Sequence, residues 1–253
     1  MPAMERIRLE QQFHDRQAAS RANDLSRHLG AFCFPDDAYL DHETWIRPAL
    51  AQLGDVTDLP ILDFGCGHGM AAVVLARRGA RVTALDLSFG YLDEAHRRAL
   101  ANQTAISFVQ ADGERLPFAD ASFARVWGNA VLHHLDLGKA APELRRVLRP
   151  GGVAVFCEPW GENPLLNWAR RRFPYPGKQR TPDERPLQHK HLRLLGSVFS
   201  KVEVQGYELL SMARRVLRSR KLIAHLDEWD AMLLTRIPAL QRFCRYAVLT
   251  LRR

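Results

Sequence analysis

The sequence predicts an α/β fold with a mostly parallel sheet covered by helices on both faces. Short apolar runs of strand length alternate with helical patterns between residues 61 and 158, and this alternation is typical of parallel sheets. A glycine-rich turn follows the first run, and polar residues stand at the ends of several runs. Right-handed crossovers would bring those ends to one rim of the sheet, where open α/β sheets bind ligands.

The first 57 residues predict a helical cap on this sheet. Residues 5–28 are polar and helix-compatible, and residues 39–53 form a second helical pattern that carries Trp45 and Ile46 toward the core. Pro48 would start or kink that second helix. A chain of 253 residues can bury one substantial core. We therefore expect a cap over 1–57 and one α/β domain over 58–253.

The core reads as strands and helices in alternation. The predicted strands are 61–64, 82–85, 106–110, 124–127 and 153–158, and the predicted helices are 71–78, 91–101 and 139–148. Two later apolar runs, 201–204 and 247–251, read as the last two strands. Between them, apolar residues at helical spacing predict an insert of two or three amphipathic helices over about 208–245. The insert either packs on the core or covers the substrate opening as an apolar lid.

Residues 61–70 read as a strand, a tight turn and the start of a helix. Gly65, Gly67 and Gly69 stand on alternate positions, where a side chain would collide with a ligand held close to the backbone. Asp86 ends the next apolar run, and a carboxylate at that place commonly accepts a ribose hydroxyl. These features together predict a nucleoside cofactor.

Asp63 helps to distinguish between two nucleoside cofactors. A dinucleotide site would have a glycine where Met70 stands, and a buried carboxylate beside a pyrophosphate would repel it. A nicotinamide-dependent oxidoreductase is therefore disfavoured. S-adenosylmethionine carries an ammonium and a sulfonium, and these cations suit Asp63 better.

Four motifs follow one another between residues 63 and 152. They are Asp-Phe-Gly-Cys-Gly-His-Gly (63–69), Phe-Val-Gln-Ala-Asp (108–112), Leu-Pro-Phe-Ala-Asp-Ala-Ser-Phe (116–123) and Arg-Val-Leu-Arg-Pro-Gly-Gly (146–152). In this order they resemble the class I, seven-strand, Rossmann-like S-adenosylmethionine-dependent methyltransferases of bacterial small-molecule type. The resemblance implies a doubly wound seven-strand sheet with an antiparallel carboxyl-terminal edge, and S-adenosylmethionine as cofactor. The cofactor contacts it implies are Asp63, Gly65, Cys66, Gly67, Asp86, Leu87, Asp112, Gly113 and Asn129.

Methyl transfer to a hydroxyl or ammonium also needs a group that accepts a proton. The candidate catalytic residues are His133 and His134, which follow the fourth strand, and Glu158, which ends the fifth. The alternatives are a structural or cofactor-positioning role for the histidines, and helix capping or arginine pairing for Glu158. Trp160 and His14 are candidate substrate contacts, and residues 14–18 resemble a His-Asp-x-x-Ala element that precedes such cores. Adjacent histidines make a poor metal site, so no metal is predicted.

Charge is distributed unevenly along the chain. Residues 1–150 hold 17 Lys and Arg against 19 Asp and Glu, whereas residues 151–253 hold 19 against 9. The basic part could face solvent or an acidic substrate, rest on an anionic membrane, or bind nucleic acid. Nucleic acid is disfavoured because no recognised binding module or stacking platform accompanies the charge. The sequence shows no apolar run long enough to span a membrane, no secretory signal and only scattered cysteines, which favours a cytoplasmic location.

The sequence therefore predicts methyl transfer from S-adenosylmethionine to a small, fairly apolar acceptor. O-methylation is favoured over C- or N-methylation. The alternatives are a noncatalytic regulator that binds S-adenosylmethionine without consuming it, and a nicotinamide-dependent oxidoreductase.

Overall fold

A seven-stranded sheet forms the centre of the computed structural model, which describes residues 3–25, 32–172, 185–217 and 219–253. The strands are β1 (Pro60–Phe64), β2 (Arg81–Asp86), β3 (Ile106–Gln110), β4 (Phe123–Asn129), β5 (Leu148–Pro159), β6 (Lys201–Tyr207) and β7 (Tyr246–Arg252). Their order is β3-β2-β1-β4-β5-β7-β6. The first five strands are parallel, and β7 runs antiparallel to both β5 and β6. This confirms the predicted mostly parallel sheet, with β7 one position in from the β6 edge.

Nine α-helices surround the sheet in the described part of the chain. They are α1 (Ala3–Leu25), α2 (Asp37–Leu40), α3 (Ile46–Ala51), α4 (Met70–Arg77), α5 (Phe89–Ala101), α6 (Leu137–Val147), α7 (Pro164–Arg172), α8 (His189–Val198) and α9 (Arg220–Arg236). Side-chain caps fix the starts of several of them, because Ser88, Asp136 and Ser219 each accept a hydrogen bond from a backbone N–H in the first turn. None of the described helices is long and apolar enough to cross a membrane.

The core lies on both faces of the sheet. On one face, Leu50 of α3 and Val74 of α4 belong to a buried cluster with Trp127 of β4. On the other face, Leu144 of α6 packs in a cluster with Phe156 of β5. All five of these side chains are fully or almost fully buried, and each such burial typically contributes about 1.5–3 kcal/mol. The two clusters hold the strand ends in a fixed arrangement.

Two predicted elements differ from the structure near prolines. The single helix predicted over 39–53 is two short helices, α2 and α3, separated by turns over residues 41–45. Pro48 is the third residue of α3, where a missing N–H breaks no intrahelical bond. The predicted helix 139–148 ends one residue earlier, because Leu148 precedes the Arg149-Pro150 pair and pairs with Phe123 in the sheet. As a result β5 starts five residues before the predicted 153.

The predicted insert between β6 and β7 contains one long helix. Short 3₁₀ segments, Ser211–Arg215 and Pro238–Phe243, flank α9, so only one of the two or three expected amphipathic helices is an α-helix. At the other end of the chain, α1 covers most of the helix predicted over 5–28, and residues 26–28 lie outside the described part. Both α1 and the insert stand at the rim where β1, β2, β4 and β5 end.

Candidate functional site

A cavity of about 260 Å³ opens at the carboxyl ends of β1, β2 and β4. Small-molecule pockets start at roughly this size. Its lining includes all nine residues predicted for cofactor contact, namely Asp63, Gly65, Cys66, Gly67, Asp86, Leu87, Asp112, Gly113 and Asn129, together with His14 and His134. The nine predicted residues stand at or just beyond the ends of parallel strands, so the sheet brings them to one rim. His14 comes from α1, and His134 from the segment after β4.

The glycine turn after β1 forms one wall of the cavity. Gly65, Gly67 and Gly69 have φ values of +70°, +50° and +79°, a region that side chains disfavour. A Cβ on Gly65 would lie 2.5 Å from Cγ2 of Val131, so that glycine is required by packing within the protein. A Cβ on Gly67 would meet nothing within 4 Å. The space beside Gly67 is therefore open to a ligand.

Asp63 is a buried acid with an unused oxygen at this cavity. Its side chain is 2 % exposed, and its Oδ2 has no hydrogen-bond partner among the described residues. Burial, and then the charge of Asp86, raise the pKa of Asp63 to about 7, against a weaker opposing hydrogen bond from the Ala72 backbone. An unpaired carboxylate in this position is costly, and a cation in the cavity would stabilise it.

Asp86 ties the glycine turn to the end of β2. Its Oδ2 accepts the Gly67 N–H at 2.8 Å, and its Oδ1 accepts the Ser88 N–H at 2.8 Å. Burial raises the pKa of Asp86, while these two N–H groups oppose the shift. Each carboxylate oxygen can accept more than one hydrogen bond, so Asp86 retains capacity for hydroxyl donors in the cavity.

Three other predicted cofactor residues, Asp112, Gly113 and Cys66, have contacts within the protein that differ from one another. The Oδ1 of half-buried Asp112 accepts the Glu114 N–H at 2.9 Å. A Cβ on Gly113 would lie 2.6 Å from Cζ of Phe64, so packing alone requires that glycine. The Cys66 thiol is buried, and burial together with Asp86 and Asp63 raises its pKa well above the ordinary value. This thiol is therefore neutral, not a nucleophile.

The turn after β4 carries a strained residue that sequence reasoning did not identify. Ala130 follows Asn129 and has a φ of +59°, which is uncommon for a residue with a side chain. Its N–H donates to the Cys157 carbonyl at 2.7 Å, which fixes the turn against β5. Both Asn129 and Ala130 line the cavity. No sequence signal marks Ala130, because alanine does not usually adopt this conformation.

Helix α1 covers the cavity with a ladder of polar residues. Arg6, Glu10 and His14 all line it, and their spacing of four residues places them on one face of the helix. The Arg6 guanidinium donates to the His134 carbonyl at 2.8 Å and pairs with Glu114. Sequence reasoning missed Arg6 and Glu10, although their spacing from His14 was a usable signal.

Glu10 holds two histidines together at the cavity wall. Its Oε1 lies 2.5 Å from Nδ1 of His134 and 3.7 Å from Nε2 of His14. Burial of Glu10 opposes ionisation, but the close contacts with His134 and His14 outweigh it and lower its pKa to about 2. Burial opposes charging of His14, yet Glu10 and Asp86 raise its pKa.

The same three residues offer one metal-ligand atom each within 4.8 Å of one another. The sequence predicted no metal because only the adjacent histidines 133 and 134 were considered there. Glu10 Oε1 and His134 Nδ1 make no hydrogen bond of good geometry among the described residues, and the absence of a metal stays a prediction.

The structure places three predicted site residues behind the cavity wall. Glu158 is fully buried: its Oε1 accepts the Val131 and Leu132 N–H groups at 2.9 and 2.7 Å, and its Oε2 lies 2.7 Å from Nδ1 of His133. Neither Glu158 nor His133 lines the cavity. Glu158 thus caps the 3₁₀ segment Leu132–His134, as in the helix-capping alternative, and the two residues position His134.

Trp160 is also buried, with 2 % of its surface exposed. Its backbone N–H donates to the Arg245 carbonyl at 2.9 Å, and its backbone forms an isolated β-bridge with Leu187. The segment after β5 was expected to cross the substrate opening. Instead β5 continues to Pro159 along β7, which keeps Trp160 within the packed edge of the domain and away from the cavity.

Comparison with known proteins gives matches centred on this site. Residues 62–156 match the family model described as a methyltransferase domain. The chain is 46 % identical over 108 residues to malonyl-[acyl-carrier protein] O-methyltransferase of Pseudescherichia vulneris, which covers 42 % of this chain and 41 % of the relative. It is 34 % identical over 144 residues to demethylmenaquinone methyltransferase of Thermobifida fusca, covering 51 % and 61 %. The matches span about half the length of the first curated relatives.

The fold is also shared with solved structures. An S-adenosylmethionine-dependent methyltransferase from Mesorhizobium loti superposes with a TM-score of 0.56 at 21 % identity, covering 85 % of this chain and 100 % of that one. At this identity the likeness shows the fold alone. The fold of the present chain is therefore a known architecture.

Proposed function

We propose that this chain, whose residues 62–156 form a methyltransferase domain of the class I, S-adenosylmethionine-dependent family, transfers a methyl group from S-adenosylmethionine to a small, fairly apolar acceptor. The observation that carries the proposal is the buried, unpartnered oxygen of Asp63 beside the glycine turn. The names of both curated relatives denote methyl transfer, one of them to oxygen.

The residues around the cavity fit this cofactor in three ways. The unpaired Asp63 oxygen suits a positively charged ligand, the open space beside Gly67 suits close approach, and the spare acceptor capacity of Asp86 suits a ribose diol. We assign Asp112 to the adenine, with Leu87 and Asn129 as further walls. S-adenosylmethionine supplies a methyl group activated by its sulfonium. The chain must then align the acceptor, exclude water and accept a proton.

His134 is the proposed proton acceptor for a hydroxyl substrate. It lines the cavity, and its Nδ1 lies 2.5 Å from Oε1 of Glu10, which leaves Nε2 as the ring nitrogen that can take a proton. Glu10 then stabilises the charged imidazole, in the way a carboxylate orients a catalytic histidine. A base at this place serves O-methylation, because a hydroxyl loses a proton on methylation, and the O-methyltransferase name of one curated relative favours oxygen as the acceptor atom.

The acceptor contacts proposed here come from α1 and from the segment that follows β4. His14 and Ile7 of α1, with Val131 and Leu135, form a partly apolar surface beside His134. Helix α1 also helps to exclude water, since its residues line the cavity. The proposal includes a cytoplasmic location, suggested by four free cysteines, and peripheral membrane contact through the basic carboxyl-terminal part.

The test is transfer of a labelled methyl group from S-adenosylmethionine to phenols, hydroxy acids, terpenoid alcohols, quinols and amines. We expect transfer to at least one hydroxyl acceptor, and His134→Gln should lower kcat by about 10²- to 10⁴-fold without loss of cofactor binding. His42→Gln, at an exposed histidine outside the cavity, is the matched control. Cofactor binding without transfer to any acceptor would favour the noncatalytic regulator.

A further inference from the structure

The insert between β6 and β7 exposes an apolar surface that the proposed catalytic site does not use. We call it the insert face. It consists of Val216, Leu222, Trp229, Met232 and Ile237. In that order, these residues are 81, 44, 56, 42 and 49 % exposed. Leu222, Trp229 and Met232 are seven and then three residues apart on α9, so they share one side of that helix. Exposed patches of this kind mark interaction surfaces more often than scattered single residues do.

A buried acid anchors helix α9 to the segment that precedes it. Asp230 is its one buried residue among 17. The carboxylate of Asp230 accepts the N–H groups of Leu209, Leu210 and Ser211 and the Ser211 hydroxyl, at 2.7–3.1 Å. A surface helix of a globular protein normally turns its apolar stripe inward. On α9 the apolar residues are divided: Leu222, Trp229 and Met232 are exposed, whereas others are half-buried, namely Ile223, Leu226, Leu233 and Leu234.

The acidic and basic side chains of α9 differ in their partners. Asp227 pairs with Arg214 at 2.5 Å, so it and Asp230 are both engaged with the adjoining 3₁₀ segment. Lys221 and Arg236 are exposed near the two ends of α9 and take part in no ion pair within the described residues. The exposed acid Glu228 has His225 as its neighbour at 3.4 Å. The insert face is thus apolar with unpaired cations at both ends.

The insert stands at the same rim as the cavity. It leaves β6 after Tyr207 and returns at Tyr246, and those two residues are paired with each other. Tyr246 also pairs with Pro159 at the carboxyl end of β5. Helix α7, which begins five residues after Pro159, adds Leu165 with 76 % exposure. The insert and α7 therefore both leave the sheet at the rim that carries the cavity.

We propose that the insert face lies on an anionic membrane surface, and that the acceptor is an amphiphilic molecule taken from that membrane. The acceptor half of this statement rests on the proposed methyltransferase function, whereas the docking half does not. An exposed Trp with long aliphatic side chains, and Lys and Arg at the margins, is the composition that binds the interfacial region of anionic bilayers. Because the insert and the cavity share a rim, docking brings the opening close to the lipid.

The docking half is tested by flotation of the full chain with vesicles of phosphatidylcholine alone and of phosphatidylcholine mixed with phosphatidylglycerol. We expect binding to the mixed vesicles, and weakening by added salt. The double substitution Trp229→Gln and Leu222→Gln, and separately Lys221→Glu with Arg236→Glu, should each reduce binding by about tenfold. The matched control is Leu100→Gln, because Leu100 is 65 % exposed at the far end of α5.

The proposal would be overturned if the insert variants and the control bound the mixed vesicles equally well. It would also be overturned if the wild-type chain bound neither kind of vesicle. A concentration-dependent dimer that Trp229→Gln dissolves, without vesicle binding, would assign the face to a second copy of the chain. Cofactor calorimetry on the same variants separates the two proposals: vesicle binding by a chain that does not bind S-adenosylmethionine would retain the docking surface and reject the methyltransferase function. With both intact, methyl transfer to a vesicle-borne acceptor should fall in the insert variants and not in Leu100→Gln.

Discussion

Acidification should weaken S-adenosylmethionine binding because Asp63 takes up a proton. Its pKa is about 7 in the cofactor-free protein, and the cationic cofactor interacts favourably with the ionised form only. Between about pH 7.5 and about pH 5.5 the ionised fraction falls roughly 20-fold, which corresponds to about 2 kcal/mol of binding free energy. Asp63→Asn should bind weakly at both values and lose this pH dependence.

Calorimetric titration with S-adenosylmethionine across that pH range measures the effect directly. His14 also titrates in the cavity, and its raised pKa adds positive charge on acidification, so His14→Gln is the control that isolates Asp63. If Asp63→Asn binds as tightly as the wild type, or if it keeps the same pH dependence, the assignment of Asp63 to the cofactor's positive charge is wrong.

The same carboxyl group should make the free protein less stable at higher pH. The folded chain holds the Asp63 proton more tightly than the unfolded chain between the ordinary aspartate pKa of 3.8 and about 7. Stability is therefore lost as the pH rises through that window. Asp63→Asn cannot ionise, so without cofactor it should melt at a higher temperature than the wild type near pH 8, with at most about 4 kcal/mol gained. An Asp63→Asn variant that melts lower at that pH would contradict the burial argument.

Further expectations follow from the contacts of individual residues. Asp86→Ala should cost about 1–3 kcal/mol of cofactor binding by calorimetry, and an unchanged affinity would remove Asp86 from the site. Trp160→Ala should lower the free energy of unfolding by about 3–5 kcal/mol because the side chain is buried, while cofactor affinity in the folded variant stays within about 0.5 kcal/mol; a stable variant with lost methyl transfer would return Trp160 to the substrate pocket. Glu158→Gln should destabilise the chain by about 1–3 kcal/mol, because an amide NH2 donor replaces one of the two carboxylate oxygens that contact residues 131–133. If denaturant unfolding shows no loss for Glu158→Gln, that carboxylate does not hold the turn.

The cofactor wall could be predicted from sequence because it depends on topology alone. Parallel strands with right-handed crossovers bring their carboxyl ends to one rim. Residues such as Asp63, Asp86 and Asp112 therefore lie close together whatever the details of side-chain packing. The glycine spacing then marks the one strand end at which the backbone must approach a ligand. Neither inference needs the position of a distant side chain.

The acceptor side of the cavity could not be predicted in the same way. Glu10 meets His134 across 124 positions of sequence, and only the docking of α1 brings them together. For Glu158 and Trp160, the direction of the side chains depends on how far β5 extends. Because β5 pairs with β7 as far as Pro159, these residues remain inside the domain, a result that the local sequence does not encode.

The most direct test of the central claim compares S-adenosylmethionine binding by Gly67→Val and Gly151→Val. Both glycines have positive φ values, +50° and +73°, and a Cβ on either meets nothing within 4 Å, so the two substitutions impose similar backbone strain. Only Gly67 lines the cavity. Calorimetry should show single-site binding for the wild type and for folded Gly151→Val, and no binding for folded Gly67→Val. Undiminished binding by Gly67→Val would show that this cavity does not hold the cofactor.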